Sequence, residues 1–329
     1  MFKLNLEPNQ PKSHPGDQVF DVLIVGAGSA GLTTAVYTSR DGWQTLVLDK
    51  EAPGGLAGST HWIENYPGFP DGVEGPELMD RFKAQAERFG AEITAYERVR
   101  RLEKNQAGLF ELTTEDDRVY RARAVLLATG SEPQQLGIPG EDTFYNQGVS
   151  YCATCDGPLY KDQDVAVIGC GNSGLQEAQI LLQYARSVTF VEYLDHSIAE
   201  QVLQDRVKSS AKSTCLLSHA AREIQGDEQV TGLVVENLET GREEQVDVSA
   251  VFIYIGYTPS TDFLEGFLDL DESGYIITDR EMSTSVPGVY AAGDVRADNL
   301  AQVAVAVGDG AKAAVAIREY LQEQAPVPA

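Results

Sequence analysis

The stretch "DVLIVGAGSAGL", Asp21–Leu32, joins a short apolar run to Gly26-x-Gly28-x-x-Gly31 and then to the helical pattern "LTTAVYTSRDG". Strand, tight glycine turn and helix in this order form a dinucleotide-binding device. The glycines permit the turn and let a pyrophosphate approach the helix N-terminus, where free N–H groups and the peptide dipoles favour an anion. Twenty-three residues after Gly26 the strand "TLVLD" ends in Asp49, placed to accept from an adenosine ribose hydroxyl. A lone glycine pattern says little, but strand, glycines, helix and terminal acid together leave small room for an empty turn.

The chain repeats the device. "DVAVIGCGNSGLQEAQILL" at 164–182 carries Gly169-x-Gly171-x-x-Gly174, with Asn172 and Ser173 inside it, and "SVTFVE" closes the following strand at Glu192, again twenty-three residues on, with Tyr193 next. Two such units predict an α/β fold of two Rossmann-like three-layer dinucleotide-binding domains. The run "RAVLLATGSEP" at 123–133 leaves the first unit, and "AVFIYIGYTPS" at 250–260 ends the second. The second domain, 131–256, is therefore expected to be inserted into the first, 1–130 and 257–329. Residues 1–18, with Pro8, Pro11 and Pro15, are expected to be flexible, and the final "QEQAPVPA" to be a loose end. Between the motifs the pattern predicts a helix near Gly75–Phe89, strands near 91–96, 99–103, 109–114 and 119–128, a hairpin region over Ala221–Val248, and a long helix near Leu300–Leu321.

The 329 residues, 43% hydrophobic, suffice for two cores. Fifty acidic against 25 basic residues give a net charge of -25, which repels nucleic acid and anionic lipid surfaces alike. No apolar run approaches the roughly 20 residues that cross a bilayer, and the opening lacks the apolar centre of a signal peptide, so a cytoplasmic location is expected. Four cysteines in such a chain do not make a disulfide scaffold. Two of them stand in "YCATCDG", Tyr151–Gly157, between the glycine motifs. A zinc site would want a second pair or a Cys/His partner, and Cys215-x-x-x-His219 lies far along the chain. A permanent staple over so short a ring removes little unfolded-chain entropy. Redox exchange is the best remaining reading, with no metal, and Asp156 could pass a proton to or from a sulfur.

The order "GAGSAGL", "GGLAG", "ENYPG", "LLATG", "CATCDG", "GCGNSG" and "GVYAAGDV" resembles the low-molecular-weight thioredoxin reductases from about Asp21 to Tyr320. The resemblance implies a homodimeric FAD enzyme that reduces a thioredoxin-like protein or another disulfide. It implies that Gly26, Gly28, Ala30 and Gly31 hold the FAD pyrophosphate and Asp49 its adenosine ribose. Gly54, Gly55, Asn65, Thr129 and Gly130 would line the flavin region, Gly293 and Asp294 would meet the ribityl and phosphate groups, and Gln302 and Val303 would face the pyrimidine edge. Gly54, Gly293 and Asn65 also have the plainer reading of turn residues. Cys152 and Cys155 would be the exchanging thiols and Asp156 the acid-base group.

The resemblance fails where NADPH-using members carry His-Arg-Arg and a further Arg around the 2'-phosphate. Here stand Glu192, Tyr193 and Leu194, with Ile198 in place of the further Arg. A carboxylate would face the phosphate, and like charges brought together cost several kcal/mol. Ala301 replaces an Arg that family members place before Gln302, which argues against ordinary nicotinamide geometry. The expected donor is therefore not NADPH. NADH, a second FAD, or ferredoxin with an empty second site, as in the pyridine-nucleotide-independent branch that the chain also resembles, remain, the flavin and ferredoxin routes ahead, with a conventional NADPH-dependent enzyme as the alternative reading. Ferredoxin, an acidic partner, would need a basic patch, and Arg121, Arg123 and the Arg98–Lys104 run are its visible sources. The alternative from another class is a non-catalytic dinucleotide sensor, against which the intact Cys152, Cys155 and Asp156 argue.

Overall fold

In a computed structural model, which describes residues 18–60 and 62–324, the first glycine motif joins a strand, Val19–Val25, to a helix, Ser29–Arg40. Val19–Val25 is the centre of a parallel sheet. Thr45–Leu48 and then Glu92–Thr94 lie on one side of it, and Val119–Leu127 on the other. Val119–Leu127 is long enough to take two neighbours along its far edge. Its first half pairs antiparallel with Phe110–Thr114, which continues to Val99–Lys104, and its last residues pair parallel with Val289–Ala291.

Period-two alternation explains the layering, because successive side chains leave a strand on opposite faces. Val22, Ile24, Val47, Ala124 and Leu126 join one core with residues of the helices Ser29–Arg40, Gly75–Arg88 and Val303–Glu323. Leu23, Val25, Leu46, Leu48, Val125 and Leu127 face the other way, onto Leu102, Phe110, Leu112, Leu264 and Leu268. Both faces are thus buried, which is why these strands read as nearly continuous apolar runs.

The second unit repeats the plan. Its parallel sheet runs Val149–Ser150, Ala250–Ile253, Asp164–Ile168, Ser187–Val191, Ser213–Leu216 in spatial order. Val165, Val167, Val188 and Phe190 pack with Leu175, Ala178 and Leu181 of the helix Asn172–Tyr184. Ala166, Ile168, Val191, Val251 and Ile253 pack against Ala221, Ile224, Leu233 and Val235 of an antiparallel ribbon. That ribbon has three strands, His219–Gly226, Val230–Asn237 and Arg242–Asp247, where a hairpin region was expected.

The described chain separates into two compact units. One comprises the segments up to Gly58, Ile63–Gly130 and from Pro259 onward; the other comprises Ser131–Thr258 with Ser59, Thr60 and Trp62. The outward and returning connections pair with each other as two short strands, Ser131–Pro133 and Tyr257–Pro259. The return therefore falls two residues later than the sequence placed it. The last helix also shifts, to Val303–Glu323, so Gln322 and Glu323 belong to it and not to a loose end. Residues 325–329 and all but Gln18 of the stretch expected to be flexible lie outside the described residues. No described helix is long and apolar enough to cross a membrane.

Candidate functional sites

In the first unit the glycine turn closes on the sheet. Gly26 N–H donates to Leu48 O at 2.8 Å, and Ala128 N–H donates to Val25 O at 2.8 Å. Gly26 has φ +107°, and a Cβ on it would stand 2.1 Å from the Ala128 carbonyl oxygen; one on Gly31 would stand 1.9 Å from the Gly26 carbonyl oxygen. Packing alone demands these two glycines. Gly28 is different: its φ of -81° suits any residue, and the nearest atom to a Cβ there, Gly55 Cα, is 4.0 Å away. The protein supplies no reason for its lack of a side chain. A pyrophosphate laid against the turn does.

The acid predicted at the end of the second strand reaches this turn. Asp49 Oδ2 accepts from Ala27 N–H at 2.6 Å and Oδ1 from Glu51 N–H at 2.8 Å. Burial pushes the Asp49 carboxyl up, and these two amide bonds oppose the rise. Around it the structure gathers the other predicted residues of this unit. Gly54 N–H donates to Ala27 O at 2.9 Å, which sets the Gly54–Gly55 bend beside Gly28. A Cβ on Gly293 would lie 3.1 Å from that of Ala30, so the Gly293 and Asp294 segment borders the same helix start. Thr129 N lies 3.1 Å from a Cβ on Gly26, Thr129 Oγ1 donates to Ser260 O at 2.9 Å, and Gly130 O accepts from Ser260 N–H. Asn65 Nδ2 donates to Gln302 Oε1 at 2.8 Å, joining residues 237 apart just before Val303 opens the last helix.

Sequence reasoning missed Asp309 and Arg296. Asp309 Oδ2 accepts from Arg296 Nη1 at 2.6 Å and from Gly293 N–H at 3.2 Å, fixing the Gly293 turn. Their signal was weak, because an Asp within an Ala/Val-rich helix has no local motif. Asp294 lies close by, and burial and then the Asp309 charge push its pKa up to about 6. The sign follows from linkage. A carboxyl whose folded pKa is raised favours folding while protonated and withdraws that support as pH rises through about 4 to 6. Asp294→Asn should remove the loss. The flavin-free variant should exceed the flavin-free parent in unfolding free energy by about 1–2 kcal/mol more at pH 8 than at pH 5. Equal pH dependence in urea melts of the two proteins would refute this.

The second unit reproduces the first turn bond for bond. Gly169 N–H donates to Val191 O at 2.9 Å, and a Cβ on Gly169, φ +101°, would meet the Tyr254 carbonyl oxygen at 2.1 Å. Gly174 is pressed on the Gly169 carbonyl oxygen as Gly31 is on that of Gly26. Gly171, with φ -79°, again has only distant company, Ile198 Cγ1 at 4.0 Å. Glu192 Oε2 accepts from Cys170 N–H at 2.6 Å and Oε1 from Leu194 N–H at 3.1 Å. Asp49 makes the same two bonds, to the residue after the first glycine and to the residue two beyond itself. Asn172 and Ser173 start the helix, and Asn172 Oδ1 accepts from Glu200 N–H at 2.7 Å. Tyr193 and Ile198 are each 67% exposed, so the side chains beside the turn's acid are apolar or aromatic where cations would grip a phosphate.

The arginines of the basic run expected as a docking patch each face an acid. Arg121 Nε meets Glu111 at 2.7 Å, Arg123 meets Asp21 at 2.8 Å, Arg98 meets Glu115 at 3.6 Å, Arg101 meets Glu103 at 2.6 Å, and Arg100 pairs with Asp117. Lys104 lies over the Phe110 ring. The antiparallel register sets Glu111 opposite Arg121, which a one-dimensional count of cations does not reveal.

Cys152 and Cys155 are disulfide-bonded, with their Cα atoms 5.3 Å apart, across the single turn Ala153–Asp156. Cys155 N–H donates to Cys152 Sγ at 3.1 Å, and Asp156 N–H to Cys152 O. Cys155 is exposed and Cys152 half-buried, so the pair opens to solvent on the Cys155 side. Cys170 is buried, and Cys215 lies on another strand; neither takes part in the pair.

Comparison with known proteins agrees with this arrangement. Residues 20–310 match the pyridine nucleotide-disulphide oxidoreductase family. A thioredoxin reductase of Listeria monocytogenes is 41% identical over 311 residues, 93% of this chain and 95% of its own length. The crystal structure of Lactococcus lactis thioredoxin reductase superposes with a TM-score of 0.89 at 37% identity, over 92% of this chain and 99% of that one. That of T. acidophilum thioredoxin reductase gives 0.88 at 40% identity, over 94% and 100%.

Proposed function

This chain belongs to the pyridine nucleotide-disulphide oxidoreductases and, among them, to the thioredoxin reductases, and from that premise we propose that its first unit holds FAD, that Cys152 and Cys155 carry electrons on to a thioredoxin-like protein or another disulfide, and that the donor is not NADPH. Gly26, Gly28, Ala30 and Gly31 hold the pyrophosphate in this reading, and Asp49 the ribose. Gly54, Gly55, Asn65, Thr129, Gly130, Gly293, Asp294, Gln302 and Val303 line the rest. Bound FAD would supply two-electron exchange between a donor and the disulfide. In this reading the protein holds the cofactor, keeps the two sulfurs within bonding reach of each other, and uses Asp156, next to Cys155 in the chain, to move a proton at the sulfur.

The observation that carries the donor reading is the match between Glu192 and Asp49. A carboxylate bound to the second turn by two amides suits a ribose 2'-hydroxyl and repels a 2'-phosphate. The same match favours a 2'-hydroxyl nucleotide at Gly169, Gly171, Asn172, Ser173, Gly174, Glu192 and Tyr193, a second FAD or NADH, over an empty site with ferredoxin. The paired arginines point in the same direction. Acid release and counting of flavin from the purified protein tests both parts. About two FAD per chain supports the diflavin form, and about one, with anaerobic bleaching by NADH, supports NADH. A protein that is colourless and takes up no FAD would overturn the reading of the first unit.

Gly28→Ala isolates the cofactor contact from folding. The added methyl comes no nearer to the protein than 4.0 Å, at Gly55 Cα, so the flavin-free melting free energy should change by less than about 0.5 kcal/mol. FAD affinity should fall by at least about tenfold, near 1.4 kcal/mol, because the methyl stands where the pyrophosphate must come closest. Unchanged flavin retention on dilution would contradict it.

A further inference from the structure

Glu177 lies on the helix Asn172–Tyr184, outside the glycine turn and outside every group that the proposed electron relay uses. Its carboxyl group is nevertheless directed into the dithiol turn. Oε2 accepts from Thr154 Oγ1 at 3.2 Å, and the carboxyl also accepts from the Thr154 backbone N–H. Thr154 is part of the two-residue link between the cysteines. Ala153 N–H, from the other residue of that link, donates to Tyr254 Oη at 2.7 Å. With Cys155 N–H on Cys152 Sγ and Asp156 N–H on Cys152 O, every peptide N–H from Ala153 to Asp156 has an acceptor. Two of those acceptors come from distant segments, and one of the two can ionise at neutral pH.

An amide side chain would satisfy the Thr154 donors equally well, so the carboxyl's charge needs a reason of its own. Burial pushes the Glu177 carboxyl up, against the two Thr154 bonds. Burial pushes Tyr254 up as well, followed by the Glu177 charge, with Tyr257 and Asp156 adding to the rise. Tyr160, raised by burial and by Asp156, completes the named surroundings. All the titratable groups in this set are acids. A thiolate formed on the turn would therefore stand near these acids, and the next cation along the chain, Lys161, is exposed to solvent, which screens it.

We propose that Glu177 is a positioning residue for the dithiol: it fixes the Thr154 peptide between the two cysteines, and its charge holds back thiolate formation once the pair is reduced. The proposal rests on the redox reading of Cys152 and Cys155. Two electrons, supplied by the family's reaction, break the S–S bond and leave two sulfur anions, which take protons from Asp156 or water to become thiols. Glu177 changes neither oxidation state nor bonding in this step. It makes protonation of the sulfurs more favourable. A reduced form whose thiolate is disfavoured is the stronger reductant, which suits a pair that must pass its electrons onward.

The test is the pH profile of iodoacetamide alkylation at Cys152 and Cys155, scored by peptide mass apart from the exposed Cys215, after reduction of the full-length, flavin-bound protein with a phosphine and removal of the phosphine. Glu177→Gln keeps acceptors for Thr154 and removes the charge. Its alkylation midpoint should fall by about one pH unit, with reaction several-fold faster below the midpoint and the dithiol potential less reducing. Glu177→Asp keeps the charge and should stay within about 0.3 unit of the parent. A Gln variant with the parent's midpoint would overturn the proposal even if its melting temperature dropped. If the Gln variant does not fold, Glu177→Ala, which also removes the charge, decides: a midpoint lowered by about one unit would support the proposal, and the parent's midpoint would overturn it. Alkylation requires neither donor nor disulfide substrate. An error in the relay itself would therefore show in the activity of the cysteine variants and not in this profile.

Discussion

Cys152→Ser and Cys155→Ser should each lower disulfide reductase activity by about 10³-fold or more, measured with any competent donor, and each should keep its full complement of FAD. Thiol–disulfide exchange proceeds through attack of a thiolate on a sulfur, and a serine hydroxyl can neither attack at neutral pH nor leave as part of a mixed disulfide. The residues assigned to the first FAD lie in the other compact unit, and those of the second turn, Gly169–Gly174 and Glu192, include neither cysteine, so cofactor content has no reason to follow. The two variants should differ in one respect. In a Cys215→Ser background, since Cys215 is also exposed, Cys152→Ser leaves Cys155, which is exposed, and should take up alkylating agent faster than Cys155→Ser, in which the thiol left at the pair is half-buried. The melting temperature separates a relay from a staple. A ring closed over three residues of separation contributes little through chain entropy, so neither variant should lose much stability. Retention of full activity in either variant would remove the pair from the reaction.

NADPH at saturating concentration should reduce the flavin slowly or not at all under anaerobic conditions, while a strong one-electron reductant should bleach it at once. Two effects act in the same direction. The Glu192 carboxylate is tied to the turn by the Cys170 and Leu194 amides and cannot swing away without leaving both unsatisfied. The segment 192–200 holds no Lys or Arg, and its one histidine, His196, faces Asp195 at 2.6 Å. Repulsion of several kcal/mol, at about 1.4 kcal/mol for each factor of ten, corresponds to at least about 10²-fold in affinity. The converse should hold as well. Glu192→Ala combined with Tyr193→Arg and Ile198→Arg removes the repulsion and restores bidentate donors, and should raise NADPH affinity by about 10²-fold in direct binding measurements. Fast flavin reduction of the unmodified protein by micromolar NADPH would mean that cations from elsewhere rebuild the pocket.

Much of the candidate site was legible because its determinants are local. A glycine turn, the helix after it and an acid twenty-three residues on are read from one βαβ unit, and the structure closes Asp49 and Glu192 on their own turns by equivalent bonds. The spacing itself forces this, since the acid ends the strand adjacent to the one that enters the turn. Reading failed where contacts join distant segments. The Asn65–Gln302 bond, the Asp309 hold on Gly293 and the Arg296 pair depend on where the last helix docks, and no pattern near Asp309 announces it. The basic run looked like a docking surface because charge along the chain carries no register. Folded, each of its arginines meets an acid.

By itself the sequence determined the fold class, the duplication and the spacing of the Cys152/Cys155 pair, because glycine spacing, strand alternation and residue chemistry act over a few residues at a time. Only the tertiary structure decided which glycines are required by packing and which leave space for a ligand. Gly26 and Gly28 look alike in the chain, yet only Gly26 has a carbonyl oxygen 2.1 Å from where its Cβ would be. It also decided that Glu177 and Tyr254, 22 and 99 residues beyond Cys155, supply acceptors to the turn that carries both sulfurs. The physical reason is the same in both cases. Steric exclusion and hydrogen bonding act over a few ångströms through space, and the sheet brings together atoms that the chain keeps far apart.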